Sequence, residues 1–139
     1  MEKYRFLEHT ADAKFQAYGE TLEEAFSNAA LATASLMWDP ERVKKAVEHN
    51  VRVKGRDLKQ LLCIFLEEIL YLLDTESFLL GSVEKVKIEK RGEYLLEAIF
   101  HGDHCADTYE IYGDVKAVTY SEMEIRKDRR VTLQVVVDM

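Results

Sequence analysis

The segment from Leu58 to Leu73 most constrains the fold, because apolar side chains cover more than half of any helix it could form. Its apolar positions are Leu58, Leu61, Leu62, Phe65, Leu66, Ile69, Leu70, Leu72 and Leu73. A helix this apolar must be buried against several neighbouring elements. Asp57 and Gln60 have the spacing of an N-terminal capping pair. We therefore predict a central packed helix that exposes Glu67 and Glu68.

A second helix is predicted from residue 22 onward. Thr21 and Glu24 fit a capping box, in which the Thr side chain and the Glu side chain satisfy free N–H groups. Apolar residues follow at helical spacing as far as Met37. Pro40 ends the pattern, since the residue before a proline is pushed out of the α region. We interpret Met37 and Trp38 as core residues.

The remaining segments predict strands, because apolar residues alternate with polar ones or form β-branched runs. They cover 4–7, 14–18, 49–55, 83–90, 95–100, 115–120 and 131–137, and we expect 102–107 to be an irregular excursion. Two strands, a helix, a strand, a helix and a run of strands make an α+β pattern. We predict two helices packed on a mostly antiparallel β-sheet, in a single domain over residues 1–139.

Composition excludes some classes of function. The chain has 139 residues and a net charge of −7, which argues against broad nucleic-acid binding but leaves room for a small local basic patch. No apolar run approaches the roughly 20 residues of a membrane span. Two cysteines and no signal peptide suggest a reducing, cytoplasmic location.

A polar corner separates the first two predicted strands. His9, Thr10 and Asp12 occur together between the apolar residues Phe6 and Phe15. The corner is either a plain β-turn with Asp12 as a turn carboxylate, or part of a site held on a rigid scaffold.

The chain ends on two acidic groups, the side chain of Asp138 and the terminal carboxylate of Met139. Crowded carboxylates disfavour each other's charge, so an ordered end needs a cation or hydrogen-bond donors. If Asp12 lies beside them, three carboxylates form a hard oxygen site suited to calcium or another divalent cation such as magnesium. Lys116, alone among apolar and hydroxyl residues, is either an outward-facing lysine or a cation aimed at phosphate or carboxylate.

A zinc site at His101, His104 and Cys105 is disfavoured, because no second ligand pair occurs at a zinc-binding spacing. The sequence also lacks a phosphate-binding glycine loop, a Gly-x-Ser-x-Gly elbow and a Cys/His nucleophile pair.

Three segments together resemble the archease family. They are Phe6-Leu7-Glu8-His9-Thr10-Ala11-Asp12, Asp114-Val115-Lys116-Ala117-Val118-Thr119-Tyr120 and the ending Val137-Asp138. The resemblance extends over essentially the whole chain. It implies an accessory role for the RtcB-type RNA ligase, which joins tRNA exon halves with GTP and manganese through a guanylylated histidine.

Archease-like proteins promote guanylylation and multiple turnover of that ligase and broaden its nucleotide use, but are not enzymes themselves. The resemblance implies metal ligands at Asp12, Asp138 and Met139, calcium as the usual ion, and a functional lysine at Lys116. His9 belongs to the same corner and is a candidate for partner contact. The expected partner is the ligase rather than bare RNA or a membrane.

Two other classes of function stay open. One is a stand-alone metal-dependent hydrolase or nuclease, in which His9 would position the nucleophile. The other is a general chaperone-like binding module that would not depend on Lys116.

Overall fold

The computed structural model describes residues 2–8, 12–105 and 107–139. In chain order the elements are β1 (Tyr4–Leu7), β2 (Ala13–Gly19), α1 (Leu22–Ser35), a 3-10 turn (Pro40–Arg42), β3 (Val47–Gly55), α2 (Leu58–Glu76), β4 (Phe78–Arg91), β5 (Glu93–His104), β6 (Ala117–Lys127) and β7 (Val131–Asp138). This order confirms the predicted α+β class with two helices.

The strands form two antiparallel sheets rather than one. The first has the order β1-β2-β7-β6 and the second has the order β3-β5-β4. Each helix packs against strands of both sheets: α1 contacts β2 and β4, and α2 contacts β6 and β3. The helices therefore join the sheets through one continuous apolar core.

Local capping explains where both helices begin. The Thr21 side chain accepts a hydrogen bond from the Glu24 N–H (3.1 Å), and the Asp57 side chain accepts one from the Gln60 N–H (2.8 Å). Each cap satisfies an N–H group that has no partner within its helix. Among the described residues, no helix combines the length and the apolarity that crossing a membrane requires.

The predicted core residues are buried. Met37 and Trp38 are almost completely inaccessible to solvent, and the Trp38 indole N–H donates to the carbonyl oxygen of Leu80 (2.9 Å). Cys63 is also buried within α2, which agrees with its apolar neighbours in the sequence.

The predicted irregular excursion at 102–107 is wrong at its start, because β5 continues to His104. Gly102 pairs with both Val47 and Leu80 across the three-stranded sheet. A Cβ atom at this position would overlap the Leu79 carbonyl oxygen and the Phe78 ring. Gly102 therefore permits close packing inside the strand and does not break it.

The strand predicted at 115–120 begins later and extends further. It begins at Ala117 and continues to Lys127, with a break in its ladder between Thr119 and Glu124. Residues 120–123 form a bulge. The bulge interrupts the alternation of apolar and polar residues, so the sequence pattern does not show that the strand continues.

Candidate functional site

The ends of three neighbouring strands bring three predicted site segments together. Ala13 at the start of β2 pairs with Val137, and Ala117 at the start of β6 pairs with Asp138. Asp12 precedes Ala13 and Lys116 precedes Ala117, so both flank the end of β7 on either side. We call Asp12, Lys116, Asp138 and Met139 the strand-end site.

The main chain connects two members of the strand-end site. The Lys116 N–H donates a hydrogen bond to the carbonyl oxygen of Asp138 (2.8 Å). The Lys116 side chain is exposed, and within the described residues no hydrogen bond or ion pair engages it. This exposure agrees with both interpretations of Lys116, an outward-facing lysine on the surface or a cation that binds a phosphate or carboxylate of a partner.

The last residue is anchored rather than loose. Met139 is half-buried and packs against the core, where its side chain lies close to Gly113. Gly113 in turn lies against the carbonyl oxygen of Leu36, just after α1, so closely that a Cβ atom would overlap it. The packing of its side chain therefore holds Met139 in place.

Tyr112 fastens the same segment to the end of α1. Its N–H donates to the Met37 carbonyl oxygen (2.9 Å) and its hydroxyl donates to the Ser35 carbonyl oxygen (2.8 Å). Carbonyl groups at a helix C-terminus have no partners within the helix, and these bonds satisfy two of them in that region. These two bonds hold the segment that precedes Lys116 against the end of α1.

The strand-end site contains two carboxylate side chains. Asp12 is half-buried and Asp138 is exposed, and within the described residues neither side chain has a hydrogen bond or ion pair. Carboxylate oxygens are the ligands that calcium and magnesium prefer. The donor set therefore fits a divalent cation in its chemistry.

The described residues contain no group of three or more His, Cys, Asp or Glu side chains placed to hold a metal ion. The strand-end site contains only two such side chains, because its third carboxylate belongs to the chain terminus. Binding of calcium at Asp12, Asp138 and Met139 stays a prediction.

A chain of polar side chains next to the strand-end site was missed by the sequence analysis. Lys14 forms an ion pair with Glu122 (3.1 Å), and the Gln134 amide N–H₂ donates to the Glu122 carbonyl oxygen (2.8 Å). Gln134 is buried although it lies on the face of β7 opposite the core residues Leu133 and Val135. The glutamine at position 134, inside a strand of mostly β-branched residues, is the sequence signal that could have indicated this chain of polar side chains.

A cleft of about 630 Å³ is lined in part by the segment that contains Tyr112. Its lining residues are Trp38, Asp39, Arg42, Val43, Thr108, Tyr109, Glu110 and Tyr112. Burial raises the pKa of the Tyr112 hydroxyl, and the nearby negative charge of Asp39 raises it further. Tyr112, which lines this cleft, lies four residues before Lys116 in the sequence.

The disfavoured zinc alternative gains no support from the geometry. His101 Nε2 lies 3.0 Å from a carboxylate oxygen of Glu84, and His104 Nδ1 lies 3.2 Å from the Glu76 carbonyl oxygen. Residues three apart in a strand face opposite sides of the sheet, so the two imidazoles diverge. His9, the remaining candidate, lies outside the described residues.

Residues 4–139 match the Archease protein family (MTH1598/TM1083). This chain belongs to the archease family. The match includes all four members of the strand-end site, and it confirms the family resemblance found in the sequence.

Curated archease proteins are similar to the chain over most of its length. "Protein archease" of Pyrococcus furiosus is 41% identical, and the alignment covers all of both chains. "Protein archease" of Methanosarcina mazei is 41% identical, with 91% of this chain and 88% of the relative covered. The similarity is therefore not confined to one part of the chain.

A solved archease-family structure has the same fold. The solution structure of Methanobacterium thermoautotrophicum protein 1598 superposes with a TM-score of 0.85 at 37% sequence identity, and both chains are covered completely. The two-sheet, two-helix architecture is thus the fold of this family.

Proposed function

We propose that this chain is an accessory protein of an RtcB-type RNA ligase and promotes its guanylylation and multiple turnover in tRNA exon joining. Membership in the archease family supports this role. The observation that carries it is the meeting of Asp12, Lys116 and Asp138 at neighbouring strand ends, although they are far apart in the sequence. The role is that of an activator rather than an enzyme, in the cytoplasm.

The strand-end site would act at the active site of the ligase. Asp12, Asp138 and the terminal carboxylate of Met139 would hold calcium or another divalent cation, whose positive charge would offset their mutual repulsion. The exposed Lys116 adds a second positive charge beside them. A helper shifts the ligase only by binding its competent state more tightly, with about 1.4 kcal/mol of preference for each tenfold change.

The direct test is a guanylylation and ligation assay of the cognate ligase with and without this protein. We expect multiple turnover, and broader nucleotide use, only when the protein is present. Deleting Asp138 and Met139 should abolish the effect while the circular dichroism spectrum stays that of a folded protein. Equal stimulation by the truncated chain would contradict the proposed site.

The same assay separates the other two classes of function. RNA cleavage by the purified protein with a divalent metal, in the absence of ligase, would indicate a hydrolase or nuclease. Protection of unrelated proteins from aggregation, unchanged by Lys116→Ala, would indicate a general chaperone-like module. We expect neither result.

A further inference from the structure

The bulge in β6 is the most irregular feature beside the strand-end site. Thr119 and Glu124 are five positions apart, whereas their β7 partners Val136 and Gln134 are two apart. Three extra residues therefore leave the ladder at this point. Glu122, within the bulge, has a φ of 51°, a left-handed conformation that residues other than glycine rarely adopt.

Three side chains hold the bulge in place, and we call Lys14, Glu122 and Gln134 the bulge clamp. Gln134 Nε2 donates to the Glu122 carbonyl oxygen (2.8 Å) and to a carboxylate oxygen of Glu124 (2.9 Å). Lys14 Nζ donates to a carboxylate oxygen of Glu122 (3.1 Å). Gln134 Oε1 also accepts a hydrogen bond from Gln16 Nε2 (3.0 Å), so both the nitrogen and the oxygen of its amide have partners.

The bulge clamp is only partly open to solvent. Gln134 is 6% exposed, the Lys14 side chain is 18% exposed and the Glu122 side chain is 50% exposed, so the bonds of Gln134 are the shielded ones. Hydrogen bonds and ion pairs that are shielded from water hold a more defined geometry than those on an open surface. The clamp can therefore fix the position of the bulge.

The bulge clamp is joined to every strand of the strand-end site. Lys14, in β2, lies two residues after Asp12, and Gln134, in β7, lies four residues before Asp138. Only the three residues 117–119 separate Lys116 from the bulge. We infer that the bulge clamp sets the position of Lys116 relative to Asp12 and Asp138, so that its members are positioning residues of the strand-end site.

Backbone pairing with β7 continues on both sides of the bulge. On one side of the bulge, residues 124–127 pair with β7, and on the other side residues 117–119 do so. Val118, on one flank, and Met123, within the bulge, are both buried in the core. Loss of the clamp should therefore loosen the short 117–119 ladder locally, because register that is weakly specified slips easily.

Amide hydrogen exchange of the full chain, measured by NMR, tests this inference without any partner. In Gln134→Leu and in Lys14→Met, we expect the Lys116 N–H to exchange at least about tenfold faster, while the Leu66 N–H in α2 is unchanged. Lys14→Arg should retain the wild-type rate, because arginine can replace the ion pair. Glu89→Gln, which removes an acceptor for Lys87 and Arg91 in the other sheet, is the matched control.

An unchanged Lys116 exchange rate in Lys14→Met would overturn the inference, and this variant also covers the case that Gln134→Leu does not fold. Equal acceleration of all slowly exchanging amides would overturn it too, because the residues would then act only on global stability. The expected effect on the ligase rests on the proposed function. Lys14→Met should stimulate the ligase less than the wild type does, and Lys14→Arg should stimulate it as the wild type does. If the wild-type protein does not stimulate the ligase, the proposed function fails and the exchange result still decides the inference.

Discussion

The backbone N–H of Lys116 donates a hydrogen bond to the carbonyl oxygen of Asp138 (2.8 Å), so two predicted functional residues are joined by their main chains. Side-chain substitutions at either residue leave this bond intact. Substitutions in the strand-end site can therefore remove a functional side chain without changing the fold.

Replacing Lys116 with alanine should separate function from stability. Its side chain is exposed and has no partner in the described part of the chain, so the free energy of unfolding should change by no more than about 0.5 kcal/mol. Stimulation of the ligase should fall to the level measured without the protein. Urea denaturation and a turnover assay check both results, with Lys54→Ala, an exposed lysine of β3, as the control. Full stimulation by Lys116→Ala would assign Lys116 no role.

Gly113→Ala should damage both stability and the strand-end site. A Cβ atom would overlap the Leu36 carbonyl oxygen, and the segment could avoid it only by moving away from α1 and from Met139. We expect a loss of about 1–3 kcal/mol in the free energy of unfolding and weaker stimulation. Gly92→Asn is a suitable control, since the space around Gly92 is open and asparagine tolerates its φ of 76°. A wild-type melting temperature for Gly113→Ala would show that this contact is not tight.

Both helix N-termini could be predicted because capping is local. Thr21 with Glu24 and Asp57 with Gln60 are three residues apart, and the signal lies within each tetrapeptide. Gly102 could not be interpreted correctly, because what requires a glycine there is a neighbouring strand distant in the sequence. A glycine that is required by close approach across a sheet looks the same in the sequence as a glycine that is required by a turn.

The strand-end site was predictable in its members and not in its geometry. Asp12 and Asp138 could be selected as carboxylates at the ends of strands, but only the pairing of β2 with β7 places them side by side. The bulge clamp escaped prediction for the same reason. Lys14, Glu122 and Gln134 have no local pattern in common, and their interaction depends on a break in register that alternation cannot reveal.

Asp103 should make stability depend on pH in the acidic range. The Tyr109 hydroxyl donates to its carboxylate (2.7 Å), and this bond, with the His104 N–H, lowers the pKa of Asp103 in the folded state. A lowered folded pKa gives stability that is present above the unfolded pKa, about 3.9, and is lost as the pH falls through the folded value.

Asp103→Asn should therefore be less stable than the wild type at pH 7, and the difference should shrink below about pH 4, because Asp103 is protonated there first in the unfolded chain and at lower pH in the folded chain. Urea midpoints at pH 7 and pH 3 measure this change. Asp128→Asn, in the exposed turn between β6 and β7, controls for the general loss of a charge. A difference that is the same at both pH values would rule out the carboxylate as the cause.

The two cysteines should react at very different rates. Cys63 is buried, and burial together with the charge of Glu67 raises the pKa of its thiol, whereas Cys105 is exposed. Because the thiolate is the nucleophile, Cys63 should resist iodoacetamide at pH 8 while Cys105 is modified. Mass spectrometry should find one label in the native protein, two in urea, and none in native Cys105→Ser. Rapid native labelling of Cys105→Ser would show that the α2 core opens at Cys63.

Calcium should stabilise the chain if the strand-end site binds it. A ligand that binds only the folded state adds about 2.7 kcal/mol at a concentration 100 times its dissociation constant, so the melting temperature should rise with calcium and fall again with EDTA. Asp12→Asn and Asp138→Asn should each reduce the calcium-dependent rise, because each removes a charged oxygen ligand. Asp107→Asn, in an exposed segment away from the strand ends, should keep the full rise. Thermal melts with calcium, magnesium and EDTA, supported by calorimetric titration, measure the effect. Identical melting temperatures with calcium and with EDTA would show that these carboxylates do not form a calcium site.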